Sequence, residues 1–188
     1  MKLILDSGRP LRAAYFTEEG AAAYQICPDP DAGLLDRKTL IKKMDAQSGQ
    51  FLPLAEFELH NLSPDRLRMG GTFDETADTI FTREHGTEFS GDDRLFLGPD
   101  NREYRWRARS RKSELITNDG TGTLVAKFHN KHYEIFSCIQ EPGPASLEIL
   151  PLGMQMIDFI MLTYAYVETK RQEYQRARRR RNARRRRR

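Results

Sequence analysis

Between Met154 and Val167 the chain places apolar residues on nearly every side of a helix: Met154, Met156, Ile157, Phe159, Ile160, Met161, Leu162, Tyr164, Tyr166 and Val167. A helix that is apolar all round must be buried all round. Only a narrow stripe of Gln155, Asp158, Ala165 and Thr169, with Leu162 among them, is less apolar. A bilayer is one such environment, but the stretch Gly153–Val167 is 15 residues. At helical rise it covers about 22 Å of a hydrocarbon core about 30 Å thick. Asp158 would sit in mid-membrane, where a charge costs about 2.5–3.5 kcal/mol. Pro151 and Glu148 block extension upstream. The expected surroundings are therefore protein, although the basic residues that follow would suit a tail anchor.

What precedes the helix reads as strands. Leu54–His60 alternates Ala55, Phe57 and Leu59 with Glu56, Glu58 and His60, the period of a half-buried strand. Thr123–His129 repeats this with Leu124, Ala126 and Phe128 on one face, and Ala145, Leu147 and Ile149 do so in a third segment. Further strands are expected at Leu11–Phe16, Ala22–Cys27, Thr39–Met44, Arg66–Met69, Thr79–Thr82, Leu95–Leu97, Glu103–Arg111, Glu114–Thr117 and His132–Cys138. Hairpin breakers separate them: Glu19-Gly20, Ser48-Gly49, Gly70-Gly71, Pro99-Asp100-Asn101 and Asp119-Gly120. Thr72–Asp93 reads as a long acidic loop with one weak strand. Many short strands and one all-apolar helix have a natural joint solution. The sheet closes into an antiparallel β-barrel, which removes its edges, and the helix fills the lumen.

Charge divides the chain in two. From Arg171 onward there are 11 arginines and one acid, a net of +10, against 20 basic and 26 acidic side chains before it, a net of −6. The sequence thus predicts a mildly acidic domain over 1–175, with its central helix at about 153–173, and an arginine-rich tail over 176–188 that frays by self-repulsion. Cys27 and Cys138 read as reduced thiols in a chain too long to need a disulfide staple. Leu3, Ile4 and Leu5 are too short for a signal-peptide core, so a cytoplasmic or nuclear location is expected.

Two segments suggest anion binding. In Glu103–Arg111, Arg105, Arg107, Arg109 and Arg111 share one face by period two, opposite Tyr104, Trp106 and Ala108. Four outward guanidinium groups would suit phosphate or carboxylate; the plainer reading pairs them with acids such as Glu56 and Glu58. In the tail, Arg178, Arg179, Arg180, Arg181, Arg184, Arg185, Arg186, Arg187 and Arg188 would contact anionic lipid or nucleic-acid phosphates. Asp158 reads as a paired structural acid. His60, His85, His129 and His132 complete no metal-ligand set, and there is no nucleophile elbow or phosphate loop. No catalytic residue, metal or cofactor is expected.

Several stretches resemble a fungal family of unknown function, abundant in basidiomycetes and related to the Tubby-like and LURP-one-like proteins. They are TLIKKMD from Thr39, LAEFELHNLSPDRLRMGG from Leu54, LGPDNREYRWR from Leu97, LVAKFH from Leu124 and PASLEILPLGMQMIDFIMLTYAYVETKR from Pro144. The resemblance covers about residues 10–172 and implies a barrel of about twelve strands around the C-terminal helix. It brings no catalytic residues, and no Tubby phosphoinositide motif is matched. The expected function is a non-enzymatic module that binds an anionic surface such as phospholipid headgroups. The alternative is a nuclear or nucleic-acid-associated protein that uses its tail.

Overall fold

The computed structural model describes residues 1–32, 37–71, 73–84, 92–108, 113–130 and 143–185. Thirteen strands form one antiparallel sheet. They are β1 (Lys2–Leu5), β2 (Ala13–Phe16), β3 (Ala22–Pro28), β4 (Arg37–Met44), β5 (Phe51–Leu59), β6 (Arg66–Met69) and β7 (Phe73–Thr76), then β8 (Thr82–Glu84), β9 (Asp93–Leu97), β10 (Glu103–Ala108), β11 (Ser113–Thr117), β12 (Leu124–His129) and β13 (Ser146–Ile149). A single helical turn, α1 (Ala77–Ile80), lies between β7 and β8. After β13, a 3₁₀ segment (Pro151–Met156) leads into the long helix α2 (Ile157–Arg185).

From β1 to β7 and from β8 to β13 each strand pairs with its neighbour in sequence, and β1 also pairs with β13. That pairing joins the two ends of the meander, so the sheet's edges are β7 and β8, which are consecutive in the chain. All ladders are antiparallel, and counting outward from β1 in both directions makes β7 and β8 run the same way. Strands of equal sense cannot form a hairpin; α1 carries the chain from one edge to the other. Among the described residues no ladder links β7 to β8.

The curled sheet wraps α2. Ile160 to Val167 are each 0–1% exposed. Their neighbourhood draws on opposite parts of the sheet: Phe57 of β5 meets Tyr166 edge-on, Phe128 of β12 packs on Tyr164, and the Trp106 indole of β10 donates to Thr163 Oγ1 at 3.1 Å. Phe159 contacts Phe73 of the edge strand β7 and Phe96 of β9, the neighbour of the other edge. Inward positions read from alternation are buried as expected in β5 (Ala55, Phe57, Leu59), β10 (Tyr104, Trp106) and at Ala145, Leu147 and Ile149.

The tight hairpins fall where the turn signals stand. Gly20, Gly49, Gly71, Gly120 and Asn101 all have positive φ, which glycine, and secondarily asparagine, adopts at least cost. These five hairpins lie at one end of the sheet. By antiparallel alternation the remaining hairpin connections, the longest ones among them, lie at the other end, which α2 leaves.

Several expectations need correction. Among the described residues the strands number thirteen, against an expected barrel of about twelve, and β1 and β7 were not foreseen. Thr72–Asp93 is not one loop: it holds β7, α1 and β8, and the strand expected at Thr79–Thr82 is a helical turn followed by β8. β5 begins at Phe51 and runs through Pro53. Proline argues against a central strand, but here its register step falls at an irregularity of β4 between Ile41 and Lys42. The basic tail is no frayed appendage over its described length, since α2 continues to Arg185. The strand His132–Cys138, the end of Glu103–Arg111, and Cys138, His85 and His132 lie outside the described residues.

Candidate functional site

The end of the sheet from which α2 emerges holds the longest connections, and connections are the usual place for function on a rigid scaffold. At this level the helix changes character. Glu168 is fully buried and Arg171 nearly so. Arg171 Nε donates to Glu168 Oε2 at 2.7 Å, Arg171 Nη2 to Oε1 at 2.6 Å, and Ser113 Oγ and Gln172 Nε2 donate at 3.2 and 2.9 Å. Two buried charges are tolerable only when so fully bonded. Beside them, Asp65 accepts from the Tyr166 hydroxyl at 2.8 Å, from Lys170 Nζ at 2.6 Å and from the His60 amide at 3.1 Å. Burial works against a charged Asp65, but these three donors outweigh it and hold its carboxyl below the ordinary carboxylate range. Arg94, almost buried, stacks over Tyr166 and Phe81.

Beside α2 this end opens into a groove of about 680 Å³. Its walls are the β1–β2 connection, the ends of β3, β4 and β5, and the first exposed turns of α2. It is lined by five cations (Arg9, Arg12, Arg37, Lys38, Arg176) and two acids (Asp29, Glu173). Lys38 is committed to Glu56 at 2.8 Å and to Asp29 at 3.7 Å. Arg37 pairs with Glu173. Among the described residues Arg9, Arg12 and Arg176 have no acidic partner. In a second groove of about 750 Å³, over β4, β5 and β6, Arg68 bonds Glu56 at 2.8 Å and Asp74 at 3.2 Å.

Beyond the groove, from Arg176 to Arg185, α2 projects into solvent for about 14 Å. Arg176, Arg179, Arg180, Arg181, Arg184 and Arg185 are exposed on it, and Arg178 is half-buried. At 100° per residue these arginines surround the axis instead of lining one face.

The sequence-derived sites fare differently. Arg105 and Arg107 share the outer face of β10, opposite Tyr104 and Trp106. Arg105 is engaged: it bonds Asn118 Oδ1 at 3.1 Å, Glu84 at 2.8 Å and Asp93 at 3.7 Å. Its partners are not Glu56 and Glu58, which bind Arg68 and Lys38. Arg109, Arg111 and the tail residues Arg186, Arg187 and Arg188 lie outside the described residues. Asp158 is paired at the opposite end, accepting from the Tyr24 hydroxyl at 2.5 Å and Lys43 Nζ at 2.8 Å. Among the described residues no three His, Cys, Asp or Glu side chains gather as metal ligands, and no helix is long and apolar enough to cross a membrane. Sequence reading missed the groove because Arg9, Arg12, Arg37 and Arg176 come from three distant segments. The only local hint was the pair Arg9 and Arg12 around Pro10 and Leu11.

In comparison with known proteins, no curated protein and no solved structure matches the chain. One family model does match, over residues 8–173, from the first wall of the groove to the last acid on α2. The chain therefore belongs to the family of unknown function DUF6593.

Proposed function

We propose that this chain is a non-enzymatic binding module for an anionic surface, with phospholipid headgroups as that surface. We further propose that its scaffold is a closed Tubby-like and LURP-one-like barrel, in which β7 and β8 act as one interrupted strand of a twelve-strand ring. On this reading the protein works in the cytoplasm or nucleus of a fungal cell. The observation that carries the proposal is the basic end of the molecule. The arginine run continues the core helix without a break, so its charge is presented rigidly beside a groove that is itself rich in arginine. A helix cationic all round has no apolar face to insert among acyl chains, so contact is electrostatic, at about 1 kcal/mol per basic residue near an anionic membrane.

The test is co-sedimentation of the full chain with anionic and with neutral vesicles across a salt series. The expected outcome is binding to anionic vesicles alone, weakening as salt rises. A variant with Arg178, Arg179, Arg180, Arg181, Arg184 and Arg185 replaced by Gln should lose most of it. Absence of binding at low salt, or binding indifferent to those six charges, overturns the proposal.

One observation favours a second reading, as a nucleic-acid-associated protein. A flat membrane meets one side of a helix, whereas arginines around the whole circumference suit a groove walled by phosphates. Duplex nucleic acid in the same assay would then bind more tightly than vesicles, with log affinity falling linearly against log salt.

A further inference from the structure

We infer that the groove beside α2 receives a phosphomonoester group, and that Glu173 is its built-in competitor, occupying Arg37 until the ligand displaces it. The inference rests on the reading of this end of the molecule as anion-facing, and it names the chemistry of that face.

The groove's charges come from four places: Arg9 and Arg12 before β2, Arg37 and Lys38 at the start of β4, Asp29 after β3, and Glu173 and Arg176 on α2. Five cations against two acids leave a net of +3. Lys38 is already neutralised by Asp29 and Glu56. What is left is a set of arginines with one carboxylate among them, that of Glu173, held on Arg37. Lys170 also approaches Glu173, at 3.6 Å. A carboxylate offers one charge, and Glu173 engages one guanidinium group of the groove, that of Arg37, through a single nitrogen. Several forks on separate walls call for an anion with more charge and more oxygens. A phosphomonoester near neutral pH has about −1.5 to −2 charges and three strong acceptor oxygens, and guanidinium binds it bidentately. The groove's volume of about 680 Å³ is of the size that holds a small organic ligand. A phosphate alone would leave much of it empty, so the ligand bears an organic body, either a lipid glycerol or a small soluble molecule.

Glu173 gives the site a threshold. Arg37 and Glu173 belong to different elements, and their side chains are 52% and 28% exposed. Such a pair is worth little in water. A ligand with two charges can open it; one with a single charge competes poorly. Selectivity for phosphomonoester over carboxylate or phosphodiester follows.

The experiment uses the full chain with two probes. One is glycerol 3-phosphate in solution, followed by calorimetry. The other is a pair of vesicle preparations matched in surface charge, bearing phosphatidic acid (a monoester) or phosphatidylserine (a diester). The expected result is preference for phosphatidic acid, binding of glycerol 3-phosphate, or both. Arg9→Gln and Arg12→Gln should each weaken that binding about tenfold. Glu173→Gln should tighten it about two- to fivefold. All three positions are at the surface, and unchanged melting temperatures confirm that the variants fold. Binding of phosphatidic acid but not glycerol 3-phosphate identifies a lipid source, and binding of glycerol 3-phosphate alone a soluble one. Equal binding to both vesicles, indifferent to Arg9 and Arg12, overturns this inference and leaves the surface-binding proposal standing. Absence of vesicle binding, with glycerol 3-phosphate still bound in an Arg9-dependent way, does the reverse. A Glu173→Gln variant that binds no more tightly overturns the competitor role.

Discussion

Glu168 and Arg171 fix the depth at which the helix sits in the sheet. One turn earlier the helix is wholly apolar; one turn later it is in water. Between them this pair closes the core with a salt bridge that Ser113 and Gln172 complete. The physical value of such a pair lies in its integrity more than in its presence. Glu168→Ala strands the Arg171 guanidinium in a buried site and is expected to cost about 3–5 kcal/mol. The double variant Glu168→Leu/Arg171→Met buries no charge and should recover a large part of that loss. Denaturant unfolding of the two variants beside the parent measures both. The surface arginines are of another kind: Arg105, for all its local partners, is replaceable at small cost because its ion pairs face solvent.

Among the elements, the joint between β13 and α2 is closely packed. The chain turns from the sheet into its own interior within Leu150–Met156, and Gly153 is the pivot. A Cβ there would stand 2.9 Å from Ile149 Cγ2, 2.9 Å from Ile160 Cδ1 and 3.1 Å from Val125 Cγ1. Gly153→Ala is therefore expected to destabilise the protein by about 1–3 kcal/mol, as overpacking does, with a fall in thermal midpoint as the readout. This joint was legible in the sequence as a Pro/Gly break, and so were the helix, the five tight turns and the strands with clean alternation. What was not legible has identifiable causes. β1 was passed over because Leu3, Ile4 and Leu5 show no alternation with polar residues: Leu3 and Leu5 face the core, and Ile4 lies half-buried on the other side. β7 and β8 are edges of four and three residues whose side chains are mostly exposed, so hydrophobic period says nothing of them. The helical course of Arg176–Arg185 runs against repulsion between Arg176 and Arg180 or Arg180 and Arg184, each pair costing only a few tenths of a kcal/mol. That is too little to stop a helix already nucleated by a packed core. The groove was hidden because it is made by folding and not by any one segment.

Across the whole molecule, the line between β7 and β8 is the weakest seam. No described ladder crosses it. It is held by α1, by Phe159 between Phe73 and Phe96, and by Phe81, which stacks on Tyr166 and meets Phe96. Phe159→Ala should release the seam before the rest. Hydrogen exchange is expected to quicken in β7, β8 and the outer positions of β6 and β9, while the β1–β13 ladder changes least; uniform quickening would show that the seam is not a separate unit. The β1–β13 ladder has the opposite character. Lys2 lies opposite Glu148, and Leu3 opposite Leu147, so this junction waits on residues almost a whole domain apart in sequence. The filler of the interior, α2, follows every strand in the chain. During synthesis at the ribosome, all thirteen strands emerge before the segment that gives them a core, and the first strand must wait for the last. Such a protein cannot assemble strand by strand. Its core is expected to be completed only after α2 has left the ribosome, so folding should finish late and slowly.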